Sequence, residues 1–500
     1  MTQFLMLIAV LLPIVTGIAV LCIKRSGKGL HIALFAVLAM EAAVVTVLML
    51  QGSSEQIVLF AMSEELTVAL RMDGLSCVFM PVAAYGFLVT EVYAFRYLDH
   101  EEAEGSHPET FFHAFYLLSL GALIAMDLAA NLITLYFFLE MLTLASMPMV
   151  LYERTKEAGA AALKYLFYSI AGAFLGLLAI FILRGYLTTL SFAPGGNLDL
   201  QKASGNVRLV FWAVFLGVVG FGVKAGMYPL HGWLPTAHPE APAPASAVLS
   251  GVIAKAGVLA VIRLIYYAVG TGFLRGSWVQ TALLILSLMT VFIGSMMAFT
   301  EKVLKKRLAF STVSQISYAL FGIFLLTPEG LTGGLLQVLF HAVVKICLFL
   351  CAGSVIYNTG LRRTDELAGL GKQMPWTFAG FTAASLSLIG IPPFCGFVSK
   401  WVLAQGSLSS GIPVFSWLGP VILILSALLT AGYLLPVSIS AFLPGKGEGT
   451  LPAGKYNDGG WKIVLPILLL AVLSLVFGLI APVFSEWAGS VASTLSGGVF

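Results

Sequence analysis

Charge is scarce in this sequence. Asp, Glu, Lys and Arg make up 10% of its 500 residues, against about 25% in a soluble domain. Hydrophobic residues make up 59%, more than a water-soluble core of this size hides. The same richness in Leu, Val, Ile and Phe excludes a disordered chain. A polytopic membrane protein is what remains. Cysteine is also sparse. Cys22, Cys77, Cys347, Cys351 and Cys395 form no CxxC pair and no metal-ligand spacing, so neither a disulfide frame nor an iron–sulfur site is expected. There is no Walker A motif, no GxGxxG opening a helix after a strand, and no HExxH. No cofactor and no metal are expected, and no nucleotide hydrolysis or electron transfer within this chain. The net charge of +3 is small and implies no nucleic-acid partner.

What is present is a succession of apolar runs. A spanning helix needs about 20 apolar residues. Such windows predict helices near 4–23, 30–50, 73–95, 111–128, 131–151, 160–183, 207–230, 243–267, 278–299, 307–327, 331–357, 375–407, 415–440 and 462–484. The first, Phe4–Ile23, lacks a basic start and a clear cleavage site, and is read as a retained helix. The fold class expected is all-α integral membrane, with about fourteen transmembrane helices. Proline interrupts two runs: Pro229, Pro235, Pro239 and Pro242 in the first, Pro392 and Pro393 in the second. Irregular backbone at membrane depth survives only against protein or a wet cavity. Two interrupted helices at matching places point to transport through inverted repeats. The expected division is 1–110 for three N-terminal helices, 111–267 and 268–440 for two five-helix units, and 441–500 for a last helix and tail.

Of the 27 Lys and Arg, sixteen fall in loops after odd-numbered helices and five in loops after even-numbered ones. The positive-inside rule puts the odd loops in the cytoplasm and both termini outside. The acidic run Asp99–Glu104 weighs little in that rule.

Six basic residues remain, inside apolar runs: Lys164, Lys224, Lys255, Arg263, Lys345 and Lys400. Glu140 sits mid-helix. Each such charge costs roughly 2.5–3.5 kcal/mol at a helix centre, so a structural protein has no reason to carry several. Lys224, Lys255, Lys345 and Lys400 are deepest and read as functional. Desolvation disfavours the charged form of a lysine, so a modest change nearby loads or unloads it. Glu140 is the natural partner for that change. Lys164 and Arg263 lie near helix ends and carry two readings, snorkelling to the interface or a functional role. Glu41, Asp73, Glu91 and Asp127 sit at or near expected helix ends, where solvated or capping roles suit them; Asp127 also counts as a possible proton-path residue. His341 and Lys345 stand four apart on one helical face and can pass a proton; the alternative is a core histidine satisfied by a carbonyl. His231 and His238 flank the first break, either lining a hydrated link or capping loosened backbone. Cys347 and Cys351 share a face and read as packing.

These residues lie in motifs that resemble a known superfamily. The stretch Lys224-Ala-Gly-Met-Tyr-Pro-Leu-His-Gly-Trp-Leu-Pro-Thr-Ala-His-Pro-Glu-Ala-Pro, running on to Lys255, resembles the signature of the antiporter-like membrane subunits. These occur in respiratory complex I, in group 4 membrane-bound hydrogenases and in Mrp cation/proton antiporters. Phe137-Phe-Leu-Glu140, Leu308-Ala-Phe-Ser-Thr-Val-Ser-Gln315, His341-Ala-Val-Val-Lys345 and Gly390-Ile-Pro-Pro-Phe-Cys-Gly-Phe-Val-Ser-Lys400 match as well. The resemblance runs from about residue 73 to 440. It implies fourteen helices, two inverted five-helix units with one broken helix each, and a polar axis at mid-membrane. It implies that Glu140 is the acidic partner and Lys224 the lysine of the first broken helix. Lys255 then matches the central lysine, His341 and Lys345 the second-unit pair, and Lys400 the end of the second broken helix. Lys305 matches a basic position between the units.

The branch stays open. A lysine at 400 resembles the D-type Mrp subunit and several complex I paralogues, whereas the Ala-His-Pro-Glu-Ala-Pro run leans toward hydrogenase and Mrp branches. The long lateral helix of the largest complex I paralogue is not expected here. The resemblance implies a proton-translocating subunit of a multisubunit redox-driven pump. Its rivals are a subunit of an Mrp-type sodium/proton antiporter and a transport-inactive scaffold. Expected partners are other membrane subunits, related antiporter-like subunits among them, with protons, sodium in the second reading, and lipid. The expected location is a bacterial or archaeal cytoplasmic membrane.

Overall fold

The structure, a computed structural model, describes residues 1–23, 27–52, 55–63, 66–101, 108–445 and 454–497. Lys24, Arg25 and Lys446 of the topology count, and Glu102 and Glu104 of the acidic run, lie outside the described residues. The chain opens with α1 (Thr2–Leu21) and α2 (Lys28–Gln51), then a hairpin of β1 (Gln56–Ala61) and β2 (Thr67–Arg71). Next come α3 (Gly74–Glu101), α4 (Glu109–Asp127), α5 (Leu132–Val150), α6 (Lys156–Arg184), a short α7 (Leu200–Ser204) and α8 (Val207–Ala225). The middle holds α9 (Leu234–Glu240), α10 (Ala243–Val248), α11 (Lys255–Ile262) and α12 (Thr271–Leu274). After it stand α13 (Trp278–Thr300), α14 (Leu304–Phe324), α15 (Pro328–Thr359), α16 (Pro375–Ile389) and α17 (Cys395–Ser409). The chain closes with α18 (Phe415–Phe442), α19 (Trp461–Leu479) and α20 (Ala481–Leu495).

Among the described residues, twelve helical stretches are long and apolar enough to cross a membrane. The protein is a multi-pass membrane protein. Two of the fourteen expected spans are not among the twelve. One is α14, which opens with Lys305, Lys306 and Arg307; the other is split into α16 and α17, each of 15 residues. Three further differences mark the map. The β1–β2 hairpin, antiparallel with a bulge between Val58 and Phe60, pairs backbone that joins α2 to α3. The seventh expected helix stops at Ala225 rather than near 230. The run expected at 462–484 is two helices, with Pro482 in the first turn of α20 where its missing N–H costs nothing.

Capping sets several starts. Asn131, Thr155 and Thr327 accept from the backbone N–H three residues on, at 2.8, 3.0 and 3.1 Å. Both expected breaks begin the same way. Helix α8 ends on Gly226 (φ +76°) and α16 on Gly390 (φ +96°). Each glycine N–H turns back onto the helix it ends, Gly226 onto Val223 and Gly390 onto Ser387, both at 3.0 Å. That left-handed conformation favours glycine.

The core and the lipid-facing surface separate cleanly. The whole 243–269 stretch is buried, and most of α15 with it. Helices α1, α6, α18 and α19 instead expose apolar side chains such as Phe4, Phe167, Phe181, Leu428 and Val472. In water these would be a liability; against lipid tails they are matched.

Burial corrects the expectation for the acidic residues near helix ends. Glu41, Glu91 and Asp127 are buried. Helices α2 and α3 run on to 51 and 101, so Glu41 and Glu91 stand about ten residues from an end. Only Asp73 takes a capping role, accepting from Ser76 N at 3.0 Å. It also pairs with Arg263, which is fully buried and so does not snorkel. Arg263 Nη2 donates to Asp73 Oδ1 (3.1 Å), Ser76 Oγ (3.3 Å) and Asp127 O (3.2 Å). Its guanidinium lies 4.4 Å from the Tyr267 ring centre. This fork ties the end of α4 and the start of α3 to the central stretch.

Two outcomes follow for stability, read by thermal unfolding of the purified protein in detergent. Gly226→Ala places a methyl 2.2 Å from Leu234 Cδ1 in a left-handed backbone; we expect a loss of about 1–3 kcal/mol. Gly272→Ala, with nothing within 4 Å, is the neutral control. Asp73→Asn leaves Arg263 buried without its carboxylate, with an expected loss of about 3–5 kcal/mol. The double variant Asp73→Asn/Arg263→Leu should lose less than Asp73→Asn alone, because no orphan charge remains.

Candidate functional site

The deep lysines lie on α8, α11, α15 and α17, and each is held by oxygen atoms. Lys224, in the last turn of α8, donates to Thr143 Oγ1 at 2.9 Å and to Tyr165 Oη at 2.5 Å. Its ammonium also lies 4.6 Å from the Tyr165 ring centre. Tyr165 is held in turn by Ser146 Oγ at 2.6 Å. Glu140 stands one turn before Thr143 on α5, half-buried, with Oε1 lacking a hydrogen-bond partner. It makes no ion pair with Lys224; the hydroxyls of Thr143 and Tyr165 occupy the lysine instead.

Between Glu240 and Lys255 the helix changes gauge. Leu249–Ile253 is wound as a π-helix, and Lys255 follows it after Ala254. Lys255 Nζ donates to Ser250 O at 2.5 Å. Ser250 Oγ contacts Thr312 Oγ1 on α14 at 2.6 Å. Two residues beyond Lys255, Gly257 packs on the end of α8; a Cβ there would lie 2.5 Å from Ala225 N and 3.0 Å from Lys224 C. Close approach at this glycine brings the first two lysines' helices together.

Helix α14 then links the next pair. Lys345 on α15 donates to Leu308 O (2.9 Å) and Ser311 Oγ (2.8 Å), and Ser311 neighbours Thr312. His341, one turn before Lys345, is buried with Nε2 lacking a partner. It lines a small cavity with Gln315, Gln337, Ser387 and Lys400, with room of about 10 Å³ for a water centre. That is near the threshold for one water. Gln337 Nε2 donates to Gln315 Oε1 at 3.1 Å, and Ser399 donates to Gln337 Oε1 at 2.6 Å. Lys400 on α17 reaches the carbonyls that end α16, Leu388 O at 2.5 Å and Ile389 O at 3.0 Å. A cation suits that helix terminus.

The first break gathers the remaining candidates. Lys164 donates to Thr236 Oγ1 on α9 at 2.9 Å. Lys305, at the start of α14, donates to Ala241 O at 2.8 Å where α9 gives way to α10. A cavity of about 920 Å³ opens beside them, lined by Pro235, Thr236, Glu240, Lys305 and Lys306 among others. His231 stacks on Tyr228, its Nδ1 lacking a partner. His238 is fully buried, stacked 4.8 Å from the Phe349 ring centre, with both ring nitrogens lacking partners. Lys345 Nζ lies 6.0 Å from that same ring. Asp127 is the candidate that stands apart. It ends α4 beside Arg263, with neither carboxylate oxygen hydrogen-bonded.

Sequence reasoning passed over Thr143, Tyr165, Ser250, Ser311 and Thr312. Hydroxyl residues are common in membrane helices, and nothing local marks these as lysine partners. Cys347 and Cys351 are buried in packing.

Known proteins resemble this chain along most of its length. A family profile described as "NADH:quinone oxidoreductase/Mrp antiporter, TM" matches residues 129–429, the span that holds Glu140 and all four deep lysines. NADH-quinone oxidoreductase subunit N of Desulforudis audaxviator is 32% identical over 502 residues, covering 96% of each chain. Hydrogenase-4 component B of Escherichia coli is 33% identical over 353 residues, covering 68% of this chain and 51% of that one. Among solved structures, a chain of the Mrp complex from Dietzia superposes with a TM-score of 0.84 at 24% identity, covering 99% of this chain and 98% of that one. By its lysine-bearing span and its full-length likeness to a known member, the chain belongs to the NADH:quinone oxidoreductase/Mrp antiporter family of membrane subunits.

Proposed function

We propose that this chain is a proton-translocating subunit of a multisubunit, redox-driven ion pump related to complex I and the membrane-bound hydrogenases. One observation carries the reading. Four deep lysines follow one another along the chain, Lys224, Lys255 and Lys345 buried and Lys400 half-buried, and none is in ion-pair contact with a carboxylate among the described residues. A buried ammonium that is paired stays charged; one held by neutral oxygens can give its proton up. Protons would reside on Lys224, Lys255, Lys345 and Lys400 in turn, with His341 relaying at the second-unit end. Water bridges the gaps that no side chain spans. Glu140, one turn from the lysine's own partner Thr143, is placed to tune Lys224. The cavity lined by Lys305 and Thr236 gives Lys305, and Lys164 through its bond to Thr236, a route to water, with His231 and His238 flanking the same break.

The same reading takes 111–267 and 268–440 as two inverted units. Packing supports it. Helix α4 lies on α5, α5 on α6, and α6 on α8 and α9; α13 lies on α14, α14 on α15, and α15 on α16 and α17. With α14 and the α16–α17 pair counted as spans, fourteen helices cross, and both termini lie outside a prokaryotic cytoplasmic membrane. Related antiporter-like subunits are the natural neighbours. Full-length likeness to a quinone-oxidoreductase subunit favours the redox-driven complex. An Mrp-type sodium/proton antiporter is the second reading, since sodium prefers oxygen ligands and Glu140 stands near several hydroxyls. A transport-inactive scaffold would have no use for uncompensated lysines.

Two variants test this in the purified parent complex sealed in vesicles, with internal pH followed during electron-donor addition. Lys255→Ala should cut donor-driven proton translocation at least tenfold while the complex still assembles; undiminished pumping would end the proposal. Flux that follows a sodium gradient without a donor would select the antiporter reading. Tyr165→Phe removes one of the two hydroxyls on Lys224 and keeps the ring. We expect a several-fold slower pump with assembly intact, measured in the same vesicles.

A further inference from the structure

A second buried polar cluster lies outside the lysine row, where α2, α3 and α4 meet. His31 Nε2 on α2 is 2.5 Å from Glu109 Oε1, and His113 Nε2 on α4 is 3.0 Å from that same oxygen. The ligating atoms of His31, Glu109 and His113 all lie within 4.8 Å of one another. On the far side of the ring, His113 Nδ1 is 2.7 Å from Glu91 Oε1 on α3. Glu91 and His113 are fully buried, Glu109 is 1% exposed and the His31 side chain 11%. Phe95 stacks flat on His31, ring centres 4.5 Å apart, and lies 5.6 Å from His113.

The donor and acceptor arithmetic of this cluster closes on one added positive charge. An ionised carboxylate only accepts, so the nitrogen of His113 that faces Glu91 carries its hydrogen. A neutral His113 then points the Nε2 lone pair at Glu109 Oε1, acceptor against acceptor at 3.0 Å. A second imidazole closes on the same oxygen. A positive centre among these three atoms removes the conflict. With a proton on His113 Nε2 both imidazoles donate to Glu109 Oε1; a metal ion at the same point would take all three atoms as ligands instead.

We propose that His31, Glu109 and His113 bind a divalent transition-metal ion of the zinc class, with Glu91 orienting His113. Two imidazoles and one carboxylate, with a position left open, suit a borderline ion such as Zn²⁺ rather than Mg²⁺ or Ca²⁺. Bonds of about 2.0–2.1 Å at tetrahedral angles set ligand atoms about 3.4 Å apart, so each imidazole nitrogen would draw back from Glu109 Oε1 by less than an ångström. The pairing of His113 with Glu91 is the carboxylate–imidazole arrangement that fixes a metal-binding tautomer. The ion would pin α2 to α4, and through Glu91 to α3, and its charge would offset buried carboxylates. The sequence hides this site because His31 and Glu109 are 78 residues apart.

The test uses the intact parent complex, stripped with chelator, reloaded with Zn²⁺ or Co²⁺ and desalted. The wild type should retain one more equivalent of metal than the complex carrying His31→Ala, and its Co²⁺ form should show d–d bands that His31→Ala lacks. Glu91→Gln should keep the site with 10–100-fold weaker Zn²⁺ affinity. His31 sits at the rim, so its variant is the one expected to fold; thermal unfolding of the stripped forms checks this. Equal Zn²⁺ content and equal Co²⁺ spectra in wild type and His31→Ala would overturn the proposal and leave the cluster holding a proton only.

Discussion

A lysine ammonium buried in a dehydrated membrane interior must be held by oxygen, and an intact α-helix has little oxygen to spare. Its carbonyls are taken by its own N–H groups. The helix interruptions of this fold supply what the lysines need. Lys400 takes the carbonyls of Leu388 and Ile389, left over where α16 ends. Lys255 takes that of Ser250 in the widened π stretch, and Lys305 that of Ala241 at the end of α9. Broken helices and buried lysines are thus one device. Each break would be costly without a donor to meet its freed carbonyls, and each lysine would be costly without a break or a hydroxyl.

The fold treats its buried cations in two ways. Arg263 is locked by Asp73 and surrounded by Ser76, the Asp127 carbonyl and aromatic faces. Guanidinium keeps its proton under all ordinary conditions, so this site is a fastener. Among the described residues, the four deep lysines hydrogen-bond to neutral groups only. Their ammonium groups can lose a proton without orphaning a carboxylate. The His31–Glu109–His113 cluster is a third case, in which two imidazoles converge on one carboxylate oxygen. It sits on helices that the lysine row does not use.

Much of this was legible in the residues. Proline density marked both interruptions, and the observed ends at Ala225 and Ile389 fall beside them. Scarcity of charge made Glu140 and the deep lysines conspicuous. Other features were not legible. Glu91 was expected near a helix end because apolar windows stop short of where α3 stops. Tyr165, Thr143 and Thr312 look like any hydroxyl residue in a membrane helix until a lysine from another helix arrives. Glu140 was the obvious mate for Lys224, yet Thr143, one turn along, holds the lysine.

The sequence by itself determined that the chain crosses a membrane many times, where its helices break and which charges are too deep to be accidental. Those conclusions need only one-dimensional physics: hydropathy summed over a window, the missing N–H of proline, and the cost of charge in lipid. Tertiary structure alone decided which oxygen each lysine meets, that Arg263 is fastened while the lysines are not, and that two histidines and two glutamates from three helices share one site. Most of those meetings join side chains tens to hundreds of residues apart. Helix rotation and crossing decide such meetings, and no local run of sequence encodes them.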